Sequence, residues 1–211
     1  MSNLVIFDLD GVLMDSKVLH YEVLNKALAK VNSKYVITEH EQEHTYEGKP
    51  TMTKLKILTA QKGLDPSTYD EIWKHKQLLT LQYIDNNVKT DNELIDLMKF
   101  LHENDNEIAC ASNSIYATVK KSLLKLGLTD HIDYFLSNED ITHPKPHPEI
   151  YYRCMIRSNK SPSQVTIIED SPVGIEAARR TGARVITVRN RSDVRKSLFI
   201  PVRNVMTYSC F

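Results

Sequence analysis

Apolar residues fall into two kinds of pattern along this chain. Leu4-Val5-Ile6-Phe7 is a short, unbroken run of strong β-formers, the pattern of a strand buried on both faces. Runs of the same kind recur at residues 108–111, 132–136, 165–168 and 185–188. Between them the spacing is helical, with Leu94, Ile95, Leu97, Met98 and Leu101 before the second run and Ile115, Val119, Leu123 and Leu126 after it. Strand and helix alternating at these lengths predict an α/β fold, a parallel sheet with helices on both faces.

Residues 16–80 break that rhythm. Leu24, Ala27, Leu28 and Val31, then Leu55, Ile57 and Leu58, then Ile72, Leu78, Leu79 and Tyr83 all follow helical spacing, and no buried-strand run intervenes. The pattern predicts an all-helical insertion after the first strand. The core is then discontinuous, residues 1–15 and 81–211, with a helical cap over residues 16–80. There are no internal repeats and no Gly/Ser linkers. Of the six glycines, Gly63, Gly127 and Gly182 close helical patterns and suit C-cap positions. Gly11, Gly48 and Gly174 stand instead beside unusual polar residues.

A length of 211 residues is enough to bury a sizeable core, and 41% hydrophobic with 26% charged residues is the composition of a globular protein. Lys+Arg 27 against Asp+Glu 27 leaves no net charge to draw the chain to nucleic acid or an anionic membrane, so a charged ligand must be held locally. No apolar stretch approaches the roughly 18 residues of a membrane span, and Asp8 cuts the N-terminal apolar run too early for a signal peptide. Cys110, Cys154 and Cys210 are odd in number and lack C-x-x-C spacing, against a disulfide framework or a zinc site. A cytoplasmic protein, monomeric or weakly dimeric, is expected.

The chemistry concentrates where strands end. Asp8 and Asp10 follow the first strand, and were the strand to continue they would point the same way as a dense pair of negative charges. An Asp-Gly turn explains one of them, not both. Glu169 and Asp170 end the fourth strand, before Ser171 as an N-cap and Pro172 as a first helical residue. Four carboxylates at the carboxyl ends of sheet strands suit a hard divalent cation, magnesium. Ser112 and Asn113 end the second strand before a helix, an anion cradle or an ordinary N-cap. Lys145, between Pro144 and Pro146, has a rigid setting that a solvent-exposed lysine does not need, and a fixed ammonium suits phosphate.

These residues resemble the four motifs of the haloacid dehalogenase-like hydrolase superfamily, in the branch with a small helical cap after the first strand. The matches are Asp8-x-Asp10-Gly11-Val12, Ser112-Asn113, Lys145-Pro146, and Glu169-Asp170-Ser171 leading to Gly174-Ile175-x-Ala177-Ala178. Asp8 to Ser112, Ser112 to Lys145 and Lys145 to Glu169 are separations of 104, 33 and 24 residues, in the family's order. The resemblance spans residues 4 to about 188 and implies a Rossmann-like, doubly wound core.

It also implies roles. Asp8 is the nucleophile that becomes an aspartyl-phosphate, and Asp10 the acid and base for leaving group and water. Magnesium is held by Asp8, the Asp10 carbonyl and Asp170, with Glu169 assisting; Ser112, Asn113 and Lys145 take the phosphoryl group. The cap contributes His20 and Lys49 toward the rest of a small phosphorylated metabolite, while Lys76 falls in a charged, solvated-looking helix. A phosphatase is the leading reading and a phosphomutase of the β-phosphoglucomutase type the alternative, since both share the motifs. The basic tail from Arg189 to Phe211 reads as a solvated loop and short terminal element and not as a nucleic-acid patch, because no aromatic platform is interleaved with it.

Overall fold

The computed structural model of the protein describes residues 3–46 and 49–200; Gly48, Arg203 and Cys210 lie outside the described residues. Five parallel strands form one sheet in the order β3-β2-β1-β4-β5: β1 (Asn3–Phe7), β2 (Asn106–Ala111), β3 (Tyr134–Leu136), β4 (Val165–Glu169) and β5 (Arg184–Thr187). The β1 register runs Leu4 to Phe7 opposite Glu107 to Cys110 on one side and opposite Val165 to Ile168 on the other. The fold is the doubly wound α/β arrangement that the apolar runs predict.

Alternation explains why the β1 run has no polar position. Val5 and Phe7 enter an apolar cluster with Ile108, Cys110 and Ile168 on one face, while Leu4 and Ile6 join Ala109, Ala111 and Ile167 on the other. The helices of the chain are α1 (Lys17–Val31), α2 (Glu39–Glu41), α3 (Thr51–Lys62), α4 (Tyr69–Asn87), α5 (Asn92–Glu103), α6 (Tyr116–Leu126), α7 (Glu149–Arg157) and α8 (Pro172–Arg179). The first face is covered by α5 and α6 through Leu97, Met98, Val119 and Leu123. The second is covered by α7 and α8 through Ile150, Tyr151, Ala177 and Ala178.

The segment between β1 and β2 is helical and has an apolar cluster of its own, built from Leu24, Leu28, Tyr46, Leu55, Leu58 and Ile72. Its first and last helices also reach the sheet: Leu19 and Val23 of α1 and Ile84 of α4 are buried in the cluster beneath the sheet. The helix α4 runs through residue 80 without a break, so one continuous helix serves both apolar clusters. Gly63 and Gly127 end α3 and α6 in the left-handed conformation, at φ +69° and +75°. No described helix is long and apolar enough to cross a membrane.

Phe7 is fully buried and its ring lies 6.1 Å from that of Phe199, so the last described turn is packed onto the central strand. Phe7→Ala is expected to lose about 3–5 kcal/mol of unfolding free energy. Ile156→Ala, at a side chain 78% exposed, is expected to change it by less than about 0.5 kcal/mol. Urea unfolding of the two variants checks the difference.

Candidate active site

The chain leaves β1 in both directions, to β2 and β3 on one side and to β4 and β5 on the other. In an open α/β sheet, such a reversal leaves a crevice at the carboxyl ends of the strands. Residues following β1, β2 and β4 meet there.

The strand β1 stops at Phe7, and the chain turns at once: the amides of Leu13 and Met14 donate to the Leu9 carbonyl at 3.0 and 2.9 Å, and Gly11 N–H donates to the Met14 carbonyl at 2.7 Å. Strand alternation therefore does not reach the two aspartates, and they face different partners. The expectation of a parallel pair is corrected by this turn. Asp8 points into the protein, where its Oδ1 accepts from Lys145 Nζ at 2.6 Å. Asp10 points toward the helical insertion, accepting from Ser114 Oγ at 2.8 Å and lying 2.9 Å from His20 Nε2.

Lys145 is 4% exposed, and its ammonium makes three hydrogen bonds, to Asp8, to Glu169 Oε1 at 2.7 Å and to the Ala111 carbonyl at 2.9 Å. Its backbone is gripped as well. The Asn113 side chain accepts from Lys145 N–H at 3.1 Å and donates to the Lys145 carbonyl at 3.4 Å. Asn113 thus orders the lysine loop. Ser112 is buried, and its Oγ accepts from Ser114 N–H at 3.0 Å. The N-cap of α6 is Ile115, without a side-chain cap bond, so neither Ser112 nor Asn113 serves as the helix cap.

Glu169 is fully buried with both oxygens engaged. Oε1 accepts from Lys145 and from the Tyr151 hydroxyl at 2.5 Å, and Oε2 accepts from Asp170 N–H at 3.1 Å. Ser171 caps α8 by accepting from Gly174 N–H at 3.1 Å, with Pro172 first in the helix. Two glycines are dictated by this carboxylate cluster. A Cβ on Gly174 would fall 1.9 Å from Glu169 Oε1, and one on Gly11, at φ +86°, would fall 2.0 Å from Asp170 Oδ2.

Oxygens of Asp8, Glu169 and Asp170 all lie within 4.8 Å of one another. An all-oxygen set of this kind, held close by two obligatory glycines, fits a hard cation such as magnesium. The Asp10 carboxylate is not in that group; it faces Ser114 and His20 instead. Burial pushes the Asp8 carboxyl pKa up, Lys145 opposes this, and the neighbouring Glu169 and Asp10 charges add to it. Burial also acts to raise Asp10, but His20, by charge and hydrogen bond, and the hydroxyls of Ser16 and Ser114 together hold it well below the usual carboxylate range.

Two residues of the insertion change the picture drawn from sequence. Lys76 on α4 is 9% exposed, not solvated, and burial lowers its pKa while the Asp10 charge opposes that shift. Lys49 stands exposed just before α3. Ser114, Ser16 and Tyr151 join the site without having been singled out. A hydroxyl two positions beyond Ser112 was the one visible signal, for Ser114; the phenol of Tyr151 is brought in by α7 and has no local signature.

The profile of the haloacid dehalogenase-like hydrolase family matches residues 5–188. A phosphorylated carbohydrates phosphatase of Thermotoga maritima is 27% identical over 182 residues, covering 84% of this chain and 81% of that protein. A fructose-1-phosphate phosphatase of Escherichia coli is 27% identical over 187 residues, covering 88% and 95%. A solved β-phosphoglucomutase from Clostridium difficile superposes with a TM-score of 0.78 over 94% of this chain and 96% of that one; at 22% identity it speaks for the fold alone. With a family match that spans residues 5–188, the chain belongs to the haloacid dehalogenase-like hydrolases.

Proposed function

We propose that the protein is a magnesium-dependent phosphatase that hydrolyses a small phosphorylated metabolite through an aspartyl-phosphate on Asp8. The observation that carries this reading is the buried Asp8–Lys145–Glu169 arrangement, with Asp170 beside it at the mouth of the sheet. Nothing in a purely structural strand end calls for two buried carboxylates on one lysine with a third beside them. The named activities of the two relatives, both phosphatases of phosphorylated sugars, support the same class.

In the first half-reaction an Asp8 oxygen forms the new bond to phosphorus as the ester P–O bond breaks, and Asp10 as the acid donates its proton to the leaving oxygen. In the second, Asp10 as carboxylate takes a proton from water, whose oxygen attacks phosphorus and releases Asp8 and inorganic phosphate. His20, Ser16 and Ser114 favour the carboxylate form of Asp10, the form needed in the second half. The proton for the first half has an adjacent carrier in His20 Nε2, 2.9 Å away. Lys145, whose three donors are taken up by protein oxygens, fixes the nucleophile and presents its charge to a phosphoryl group arriving on Asp8, which the hydroxyl of Ser112 would also bind.

Asp8, Asp170 and the Asp10 carbonyl would hold magnesium, with Glu169 behind them. When bound, the cation offsets the charge of nucleophile and phosphoryl oxygens. The helical segment 16–80 acts as the cap: His20 and Lys76 face Asp10 from it and would meet the part of the substrate that is not transferred, and Lys49 would reach it only on closure. A mutase would use the same residues and return the phosphoryl group to a sugar hydroxyl. Incubation with a panel of sugar phosphates and other phosphomonoesters, with magnesium, tests the reading: release of inorganic phosphate is expected, and an isomeric sugar phosphate without phosphate release would replace it with the mutase.

Asp8→Asn is expected to abolish turnover while leaving the melting temperature and circular dichroism those of a folded protein. Asp10→Asn is expected to lower kcat by roughly 10²- to 10⁴-fold. Wild-type turnover by Asp8→Asn would rule out the covalent route. Activity is expected to vanish after EDTA treatment, to return with magnesium and to return poorly with calcium, which prefers more ligands at longer distances. Turnover that survives exhaustive chelation would remove the carboxylate cluster from catalysis.

A further inference from the structure

The loop that delivers Lys145 carries a second group of donors on its outer side. His143, His147 and Glu149 lie within seven residues of chain, and their ligand-capable atoms are all within 4.8 Å of one another. Prolines at 144, 146 and 148 alternate with them and restrict the backbone between. The imidazoles of His143 and His147 have ring centroids 4.8 Å apart. Glu149 Oε1 accepts from Thr142 N–H at 3.1 Å and from Arg153, whereas Oε2 accepts from His143 N–H at 2.8 Å and lies 3.1 Å from His143 Nδ1. One carboxylate oxygen is thus turned to the His143 imidazole and its position is fixed by the backbone. His147 Nδ1 accepts a long bond, 3.3 Å, from Glu149 N–H.

We propose that His143, His147 and Glu149 form a cation site distinct from the catalytic carboxylates, selective for a borderline divalent ion such as zinc, cobalt or nickel. Two imidazoles and one carboxylate are the donor set such ions favour, whereas magnesium takes oxygen ligands and keeps much of its water. In a four-coordinate site, ligand atoms about 2.0–2.2 Å from the ion sit roughly 3.3–3.6 Å apart, so donor atoms that already lie within 4.8 Å of one another need to draw in by at most about 1.5 Å. Two protein imidazoles and one carboxylate leave a fourth position to water. The two classes of cation therefore separate by chemistry, the hard one at the ends of β1 and β4 and the softer one on the loop after β3. Since Pro144-Lys145-Pro146 lies between the two histidines, an ion here ties together the ends of the segment that aims the lysine at Asp8.

The test uses the full chain with saturating magnesium, so that the carboxylate cluster is occupied. Cobalt(II) is titrated into the wild type and into the double variant His143→Ala/His147→Ala, following visible absorption, with zinc then added as competitor. One cobalt per chain with an absorption band that zinc removes is expected for the wild type, and binding at least about tenfold weaker for the double variant. His143 and His147 are both exposed, so the variant is expected to melt as the wild type does without metal; if it does not, His143→Gln alone takes its place. Zinc is further expected to slow amide exchange over residues 142–149 in the wild type only. Equal cobalt affinity in wild type and variant, or no zinc-dependent protection of that loop, would overturn the site.

Discussion

A single ammonium group holds the active end of this sheet together. Lys145 Nζ lies between the carboxylates of Asp8 and Glu169, which would otherwise be two buried negative charges side by side, and its third hydrogen goes to the Ala111 carbonyl. The three acceptors belong to the ends of β1, β4 and β2, so one side chain joins the three central strands where they diverge from the loops. Buried charges are costly unless paired and fully hydrogen-bonded. The surroundings meet that condition: Tyr151 completes Glu169, Asn113 holds the Lys145 backbone on both its N–H and its carbonyl, and the lysine lies 4.8 Å from the centre of the Tyr151 ring. The two glycines beside the cluster follow from the same crowding, because a methyl group on either would occupy a carboxylate's place.

Asp10 couples the sheet to the helical insertion. It belongs to the turn after β1, yet its carboxylate is held by Ser114 from the β2 end and by Ser16 and His20 at the start of α1. The group proposed to move protons therefore depends on where α1 stands relative to the sheet. The same helix contributes Leu19 and Val23 to the cluster under the sheet and Leu24 and Leu28 to the cluster of the insertion, so its position is fixed from both sides. The charge of the same aspartate also acts on buried Lys76 of α4, the other helix shared by both clusters.

The fold, and the positions of Asp8, Ser112 and Glu169 where β1, β2 and β4 end, were legible because each announces itself locally. A strand buried on both faces must be a continuous apolar run, and a polar residue that directly follows such a run stands at the sheet's end. What was not legible depends on distant packing. Lys76 lies in a helix rich in charge, and only the placement of α1 and α4 around Asp10 makes it a buried lysine. Tyr151 looks like one more aromatic of an amphipathic helix until α7 is laid against β4. The pairing of Asp8 with Asp10 failed for a local reason: the strand ends one residue before the first aspartate, and the Gly11 turn separates their directions. The hold of Asn113 on the Lys145 backbone, across 32 residues of chain, is likewise a product of packing that no local pattern announces.

The measurement that bears most directly on the central interaction is the unfolding free energy of Lys145→Met in metal-free buffer at neutral pH. Methionine keeps the length and the apolar stem but leaves Asp8 and Glu169 buried without their shared cation. A loss of about 3–5 kcal/mol relative to the wild type is predicted for an uncompensated buried charge, with part of it regained in the double variant Lys145→Met/Asp8→Asn, where one of the two charges is gone. A Lys145→Met protein as stable as the wild type, with no further change on adding Asp8→Asn, would contradict the claim that this one ammonium organises the active end of the sheet.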